Sequence, residues 1–203
     1  REINDAFWTE RIQTAYNIRQ SLQLIGEGRN TYRLVHGEGD FLPGLIIDVY
    51  GNTAVMQAHS IGMHKERENI CQAIRSVIKE IKHIYYKSEG TLPYKAEFEG
   101  KGNRFLWGGD GGMTEIAQEN GLKFKIDWLE GQKTGFFVDQ RYNRQLLEHY
   151  AKGRKVLNMF CYTGGFSVYA MRGGATQVDS VDSSARAIEL TDENVNLNFP
   201  NDQ

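Results

Sequence analysis

A chain of 203 residues is long enough for one large domain or two small ones. Its apolar (40%) and charged (25%) fractions are those of an ordinary globular protein, and no run of about 18 apolar residues could form a membrane helix. A net charge of −2 argues against a chain that grips nucleic acid over its whole surface.

Arg1–Glu2–Ile3 is neither a signal peptide nor an initiator start, so the chain is expected to begin inside a longer one. Residues Asp5 to Leu22 place Phe7, Ile12, Ala15, Ile18 and Leu22 on one helical face, with Asn4 or Asp5 as the cap. Tyr32 to His36 is a strand candidate. Leu45 to Tyr50 and Thr53 to His59 read as a hairpin turning at Gly51–Asn52. Helical spacing returns from Met63 to Ile81, and Ile84 to Lys87 is a further strand. This irregular mixture predicts a small α+β domain over residues 1–112.

The glycine-rich stretch Gly108 to Gly112 reads as a flexible loop; Asp110 in its middle argues against a phosphate cradle. Beyond it, Met113 to Gln118 and Leu122 to Leu129 alternate like paired strands around Glu119–Asn120–Gly121, and Gly135 to Val138 is expected to continue that sheet. Tyr142 to Ala151 is a helix. Strand Lys155 to Phe160, helix Phe166 to Arg172, strand Gln177 to Asp182 and helix Ala185 to Asn198 then alternate as in a doubly wound parallel sheet. The predicted fold class is an α+β domain followed by an incomplete α/β Rossmann-like unit over residues 113–203.

The strand Lys155 to Phe160 enters a turn, Cys161–Tyr162–Thr163–Gly164–Gly165, that opens a helix. Ligands of such sheets bind at the carboxyl ends of the strands, where glycine lets the backbone approach closely and the helix start offers amide groups. Asp182 ends the next strand, about 20 residues on, the place from which a carboxylate reaches the hydroxyls of a bound ribose. Ser183 or Ser184 can cap the helix that follows, leaving Asp182 for the ligand. Bulky Phe166 stands where a dinucleotide motif wants a small residue, so a nucleoside without a pyrophosphate fits better.

The segments Gly131 to Arg144 (GQKTGFFVDQRYNR) and Val156 to Ser167 (VLNMFCYTGGFS), with Val181–Asp182–Ser183–Ser184 and Asn194, resemble the RlmI-like family of bacterial 23S rRNA cytosine-5 methyltransferases. Leu42–Pro43–Gly44–Leu45 and Asp48 resemble that family's central domain less specifically. The resemblance implies a class I methyltransferase fold, S-adenosylmethionine as cofactor and ribosomal RNA as partner. It implies that Asn158, Phe160, Tyr162, Thr163, Gly164 and Ser167 line the methionine side of the pocket, that Asp182 and Ser183 hold the ribose, and that Gln140 and Arg144 reach in from the preceding segment. An arginine there can pair with the cofactor's carboxylate; whether Arg141 or Arg144 does so stays open. Lys133 and Thr134 either build a turn or wall the site.

Cytosine-5 chemistry needs a thiolate nucleophile. Cys161 lies in the cofactor turn and reads as a small packing residue, and Cys71 as a structural one. No cysteine pair has disulfide-framework or zinc spacing, and the five histidines form no ligand pattern; a reducing, cytoplasmic setting and no metal are expected. The family's catalytic cysteine, target-base motif and adenine wall are expected beyond Gln203, its RNA-binding domain ahead of Arg1, and the chain alone is expected to be inactive. The competing readings are a guanine-N7 rRNA methyltransferase and a non-catalytic RNA-binding or assembly module with a vestigial cofactor fold.

Overall fold

Asn4 starts the first helix: its side chain accepts from the Phe7 amide at 3.0 Å, and α1 runs Asp5–Ser21. The computed structural model describes residues 2–92, 102–109 and 114–200; residues 110–112 of the glycine-rich stretch, and Met113, lie outside them. After α1 come β1 (Thr31–His36), β2 (Leu45–Tyr50), β3 (Thr53–Ala58), α2 (Ile61–Lys65), α3 (Arg67–Val77), β4 (His83–Tyr86) and β5 (Arg104–Trp107). They form one five-stranded sheet in the order β1-β2-β3-β4-β5. Its pairs are antiparallel except β3 with β4, which the α2–α3 crossover makes parallel.

Every residue of β3 is buried, which shows that the sheet is covered on both faces. Alternate side chains serve the two sides. Ala54 and Met56 pack with Trp8 and Ile12 of α1 and Ile70 and Ile74 of α3. Val55, with Tyr50 and Tyr85, packs against Phe124, Ile126, Phe136 and Tyr169 from the second half of the chain. The first covering layer is therefore helical, and the second is a hairpin.

That hairpin is β6 (Thr114–Glu119) with β7 (Leu122–Asp127), joined at Asn120–Gly121, both in the left-handed region that such tight turns require. The anticipated strand from Gly135 to Val138 does not form. Gly135 has φ 119° and its amide donates to the Gln132 carbonyl, so the segment folds as a turn and runs into a short 3-10 helix, Val138–Gln140. Strand β5 was not anticipated from sequence; three of its residues are half-buried, Trp107 is exposed, and they carry no clear alternation.

The remaining elements follow the predicted alternation: α4 (Arg141–Ala151), β8 (Lys155–Met159), α5 (Gly165–Arg172), β9 (Gln177–Val181) and α6 (Ala185–Asn198). Strands β8 and β9 pair in parallel, Lys155 opposite Gln177 through Met159 opposite Val181. Leu157, Met159 and Val181 are largely exposed on one side of this pair. Among the described residues, no helix is long and apolar enough to cross a membrane.

Candidate cofactor site

The carboxyl ends of β8 and β9 are tied together by one backbone bond and one to a side chain. The Cys161 amide donates to the Val181 carbonyl at 3.0 Å, and the Tyr162 amide donates to Asp182 Oδ2 at 2.9 Å. Asp182 Oδ1 accepts from the Ser184 amide at 3.0 Å. The amides of Ser184, Tyr162 and Ser183 hold the Asp182 carboxyl below the usual carboxylate range. Ser184, not Asp182, caps α6, accepting from the Ala187 amide at 3.3 Å. Asp182 thus stays ionised, and its two oxygens keep lone-pair capacity beyond the bonds the amides make.

Phe160 (φ 59°), Tyr162 (φ 50°) and Gly164 (φ 73°) all sit in the left-handed region within five residues. For two aromatic residues this conformation is strained, and such strain persists only where the surroundings enforce it. Phe160 is 86% exposed at the end of β8. Gly164 starts α5 without any side-chain cap, so the first amides of that helix are left for another acceptor. The Thr163 carbonyl accepts from Asn194 Nδ2 at 2.8 Å, while Asn194 Oδ1 accepts from the Lys125 amide at 2.7 Å. Asn194, matched from the resemblance without a role, is the clamp that fixes the turn to α6 and β7.

Phe160, Tyr162, Asp182 and Ser183 are brought together on the accessible rim, with Thr163 and Gly164 buried behind them. Asn158 and Ser167 lie beneath. Asn158 Nδ2 donates to Ser167 Oγ at 2.8 Å, and Ser167 Oγ lies 2.7 Å from Ser180 Oγ. Ser167 is buried, so its hydroxyl braces helix to sheet rather than facing a ligand. Ser180 completes this network and went unnoticed in the sequence, although its register opposite Asn158 follows from parallel pairing.

Two residues expected to reach the pocket, Arg144 and Gln140, are engaged with protein groups in this structure. Arg144 does not offer its guanidinium to the pocket: Nε and Nη2 donate to the two oxygens of Glu119, both at 2.8 Å, and Nη1 donates to the Phe137 carbonyl at 3.0 Å. Its fork is filled, and only its stem lies under the glycine turn, against Gly165. Arg141 does not replace it, being held by the Thr31 carbonyl and by Glu119. Gln140 is engaged locally, donating to Asp139 at 3.1 Å and accepting from Asn143 at 2.9 Å. The cation expected from this segment is thus a structural one.

Thr134 is buried too; its hydroxyl donates to Asp48 Oδ2 at 2.6 Å. Cys161 is buried, and burial pushes its thiol up, in keeping with a packing role. Among the described residues, no cluster of His, Cys, Asp and Glu could hold a metal ion.

A parallel strand pair with a glycine turn after the first strand and a carboxylate after the second places this unit among the Rossmann-like α/β folds, whose ligands bind at the carboxyl ends of the strands. Residues 33–201 match the family model of the S-adenosylmethionine-dependent methyltransferases, and the chain belongs to that family. The ribosomal RNA large subunit methyltransferase I of Pseudoalteromonas atlantica is 40% identical over 196 residues, covering 97% of this chain and 49% of that protein. The chain spans about half the length of the curated relatives it matches. A solved structure from Streptococcus mutans, assigned to the SAM-dependent methyltransferases, aligns at a TM-score of 0.83 with 28% identity, over 98% of this chain and 50% of its own. A methyltransferase structure complexed with SAH aligns equally well, at 0.83 and 28%, over the same shares.

Proposed function

We propose that residues 1–112 and 113–203 are a central α+β domain and a cofactor-binding unit of a cytoplasmic rRNA methyltransferase that modifies the large-subunit RNA at carbon 5 of cytosine. The observation that carries the reading is the Asp182 carboxylate, ionised and anchored on the Tyr162 amide beside the exposed Phe160. The donor set suits S-adenosylmethionine. Asp182 and Ser183 would take the ribose hydroxyls, and the uncapped start of α5 would take the carboxylate of the methionine end. When bound, the cofactor supplies an electrophilic methyl group on sulfur. This chain's residues bind and orient it; no nucleophile is assigned among them.

Two lines support the finer claims. The relatives at 36–40% identity carry the name ribosomal RNA large subunit methyltransferase I. The Lys133–Thr134–Gly135–Phe136–Phe137 stretch resembles the cytosine branch of such enzymes.

The first test is calorimetric titration with S-adenosylhomocysteine. Asp182→Ala should weaken binding by about tenfold or more, since two hydroxyls lose their acceptor, while Cys161→Ser stays within about twofold. Equal affinities would remove Asp182 from the site. The second test incubates the full-length gene product with labelled S-adenosylmethionine and protein-free 23S rRNA, followed by nucleoside mass spectrometry. The expected product is 5-methylcytidine; 7-methylguanosine would overturn the base assignment, and no methylation of any RNA would favour a binding module.

A further inference from the structure

We infer that the first sheet sets the shape of the cofactor turn through the hydroxyl of Tyr162, which makes Tyr162, Thr134 and Asp48 positioning residues for the cofactor site; the inference rests on the cofactor reading above. The link between them is the loop 131–136. On one side, strands of the first sheet hold this loop at three points. Lys87 Nζ, just past β4, donates to the Gly131 carbonyl at 2.6 Å. Gln57 of β3 donates to the Lys133 carbonyl at 3.2 Å. Asp48 of β2 accepts from the Thr134 hydroxyl at 2.6 Å and is itself fixed by Arg33 through two bonds, at 2.8 and 3.0 Å.

Thr134 has one proton, and Asp48 takes it, so the Tyr50 hydroxyl donates to Thr134 Oγ1 at 2.8 Å. Tyr50, Asp48 and Thr134 are all essentially unexposed. A buried polar network with every member satisfied is rigid and admits one arrangement. This cluster accordingly fixes the loop to the sheet.

On the other side, the same loop grips Tyr162. The Gln132 amide donates to the Tyr162 hydroxyl at 2.9 Å, and that hydroxyl donates to the Gly135 carbonyl at 3.1 Å. Phe137 meets the Tyr162 ring edge to face at 5.3 Å. The loop is also closely packed here: a side chain at Gly131 would meet the Asp127 carbonyl at 2.1 Å and the Tyr162 hydroxyl at 2.9 Å. Tyr162 has left-handed backbone, and its amide is one of the two donors that orient Asp182, the other being that of Ser184. Pulling on its hydroxyl therefore holds the strained conformation that presents both the turn and the carboxylate. Without the hydroxyl bonds, the cost of that conformation falls on the Asp182 and Thr191 contacts and on the Phe137 ring contact.

The test compares Tyr162→Phe, Thr134→Val and Thr134→Ser in the chain described and in the full-length gene product. Two quantities are read: hydrogen exchange of the amides in 160–164 without ligand, and the affinity for S-adenosylhomocysteine. Tyr162→Phe should speed exchange in 160–164 and weaken binding, each by about tenfold, the worth of one or two lost hydrogen bonds. Thr134→Val should act in the same direction although it lies outside the turn, and Thr134→Ser, which restores the hydroxyl, should bring both values back. Should Thr134→Val fail to fold, Tyr162→Phe decides. A folded Tyr162→Phe protein with unchanged exchange and unchanged affinity overturns the inference. If the unaltered protein binds no S-adenosylhomocysteine, the cofactor reading falls, and the exchange data still decide whether the first sheet holds the turn.

Discussion

Arg144 and Glu119 face each other through two parallel hydrogen bonds of 2.8 Å, with side chains 2% and 0% exposed. Glu119 ends β6, Arg144 lies in α4, and the Tyr169 hydroxyl of α5 donates to the same carboxylate at 2.9 Å. One carboxylate thereby joins the hairpin to α4 and α5. Removing one partner of a buried pair strands the other's charge and costs about 3–5 kcal/mol. Arg144→Met should fall at the low end, about 3 kcal/mol, because Arg141 and Tyr169 remain on Glu119. Urea denaturation should show a lower midpoint with an unchanged slope. A shift worth under about 1 kcal/mol would mean the pair does not join these elements.

Gly164 is required by two independent features. Its φ of 73° lies where a side chain is strained, and an added Cβ would come 2.6 Å from Thr191 Cγ2. Gly164→Ala should destabilise by about 2–3 kcal/mol, the sum of backbone strain and overpacking. Thr191→Ser removes the clashing methyl and keeps the hydroxyl, which lies 3.1 Å from the Tyr162 carbonyl. The double variant should recover about 1 kcal/mol in a thermodynamic cycle. Strict additivity would show that strain alone governs this position.

What the sequence made legible divides along local and non-local lines. Helix α6 is found with its observed bounds because its cap, Ser184, and its apolar spacing are both local signals. The tight Gly51–Asn52 and Asn120–Gly121 turns are equally local, and both hairpins form around them. The placement of Phe160 and Asp182 at adjoining strand ends was legible because the strands that carry them have local patterns. Arg144 was not. A charged residue beside a motif looks like a ligand-binding group until its partner is known, and Glu119 lies 25 positions away in another element. The same holds for Thr134, whose partner Asp48 is 86 positions distant. Strand β5 was missed because it is short and half-exposed, and β pairing rather than its own pattern creates it.

Both thiols should be slow to react in the folded protein. Burial pushes Cys71 up to about 11, and burial also raises Cys161. The thiolate is the reactive form, so at neutral pH neither cysteine offers much of it. Iodoacetamide at about pH 7.5 should label both residues more than about tenfold faster in denaturant than in the native state. Rapid native labelling at Cys161 would show an activated thiol and reopen its reading as a packing residue.

The Asp182 carboxylate makes the turn after β8 sensitive to acid. Its pKa is lowered in the folded state, chiefly by the Ser184 amide and next by that of Tyr162. A depressed carboxylate contributes stability in full above its unfolded value and loses it as pH falls through the folded one. Protonation removes the charge that both amides address and turns one acceptor oxygen into a donor. The melting temperature of the unaltered protein should therefore exceed that of Asp182→Ala near about pH 7, with the gap closing below about pH 4. The gap should be modest, since Asp182 is partly exposed and solvent screens it. S-adenosylhomocysteine affinity should fall over the same acidic range in the unaltered protein and show a weaker dependence in the variant. A melting-temperature gap that stays constant from neutral to acid pH would show that Asp182 does not act through its charge, and would leave only its shape to hold the turn.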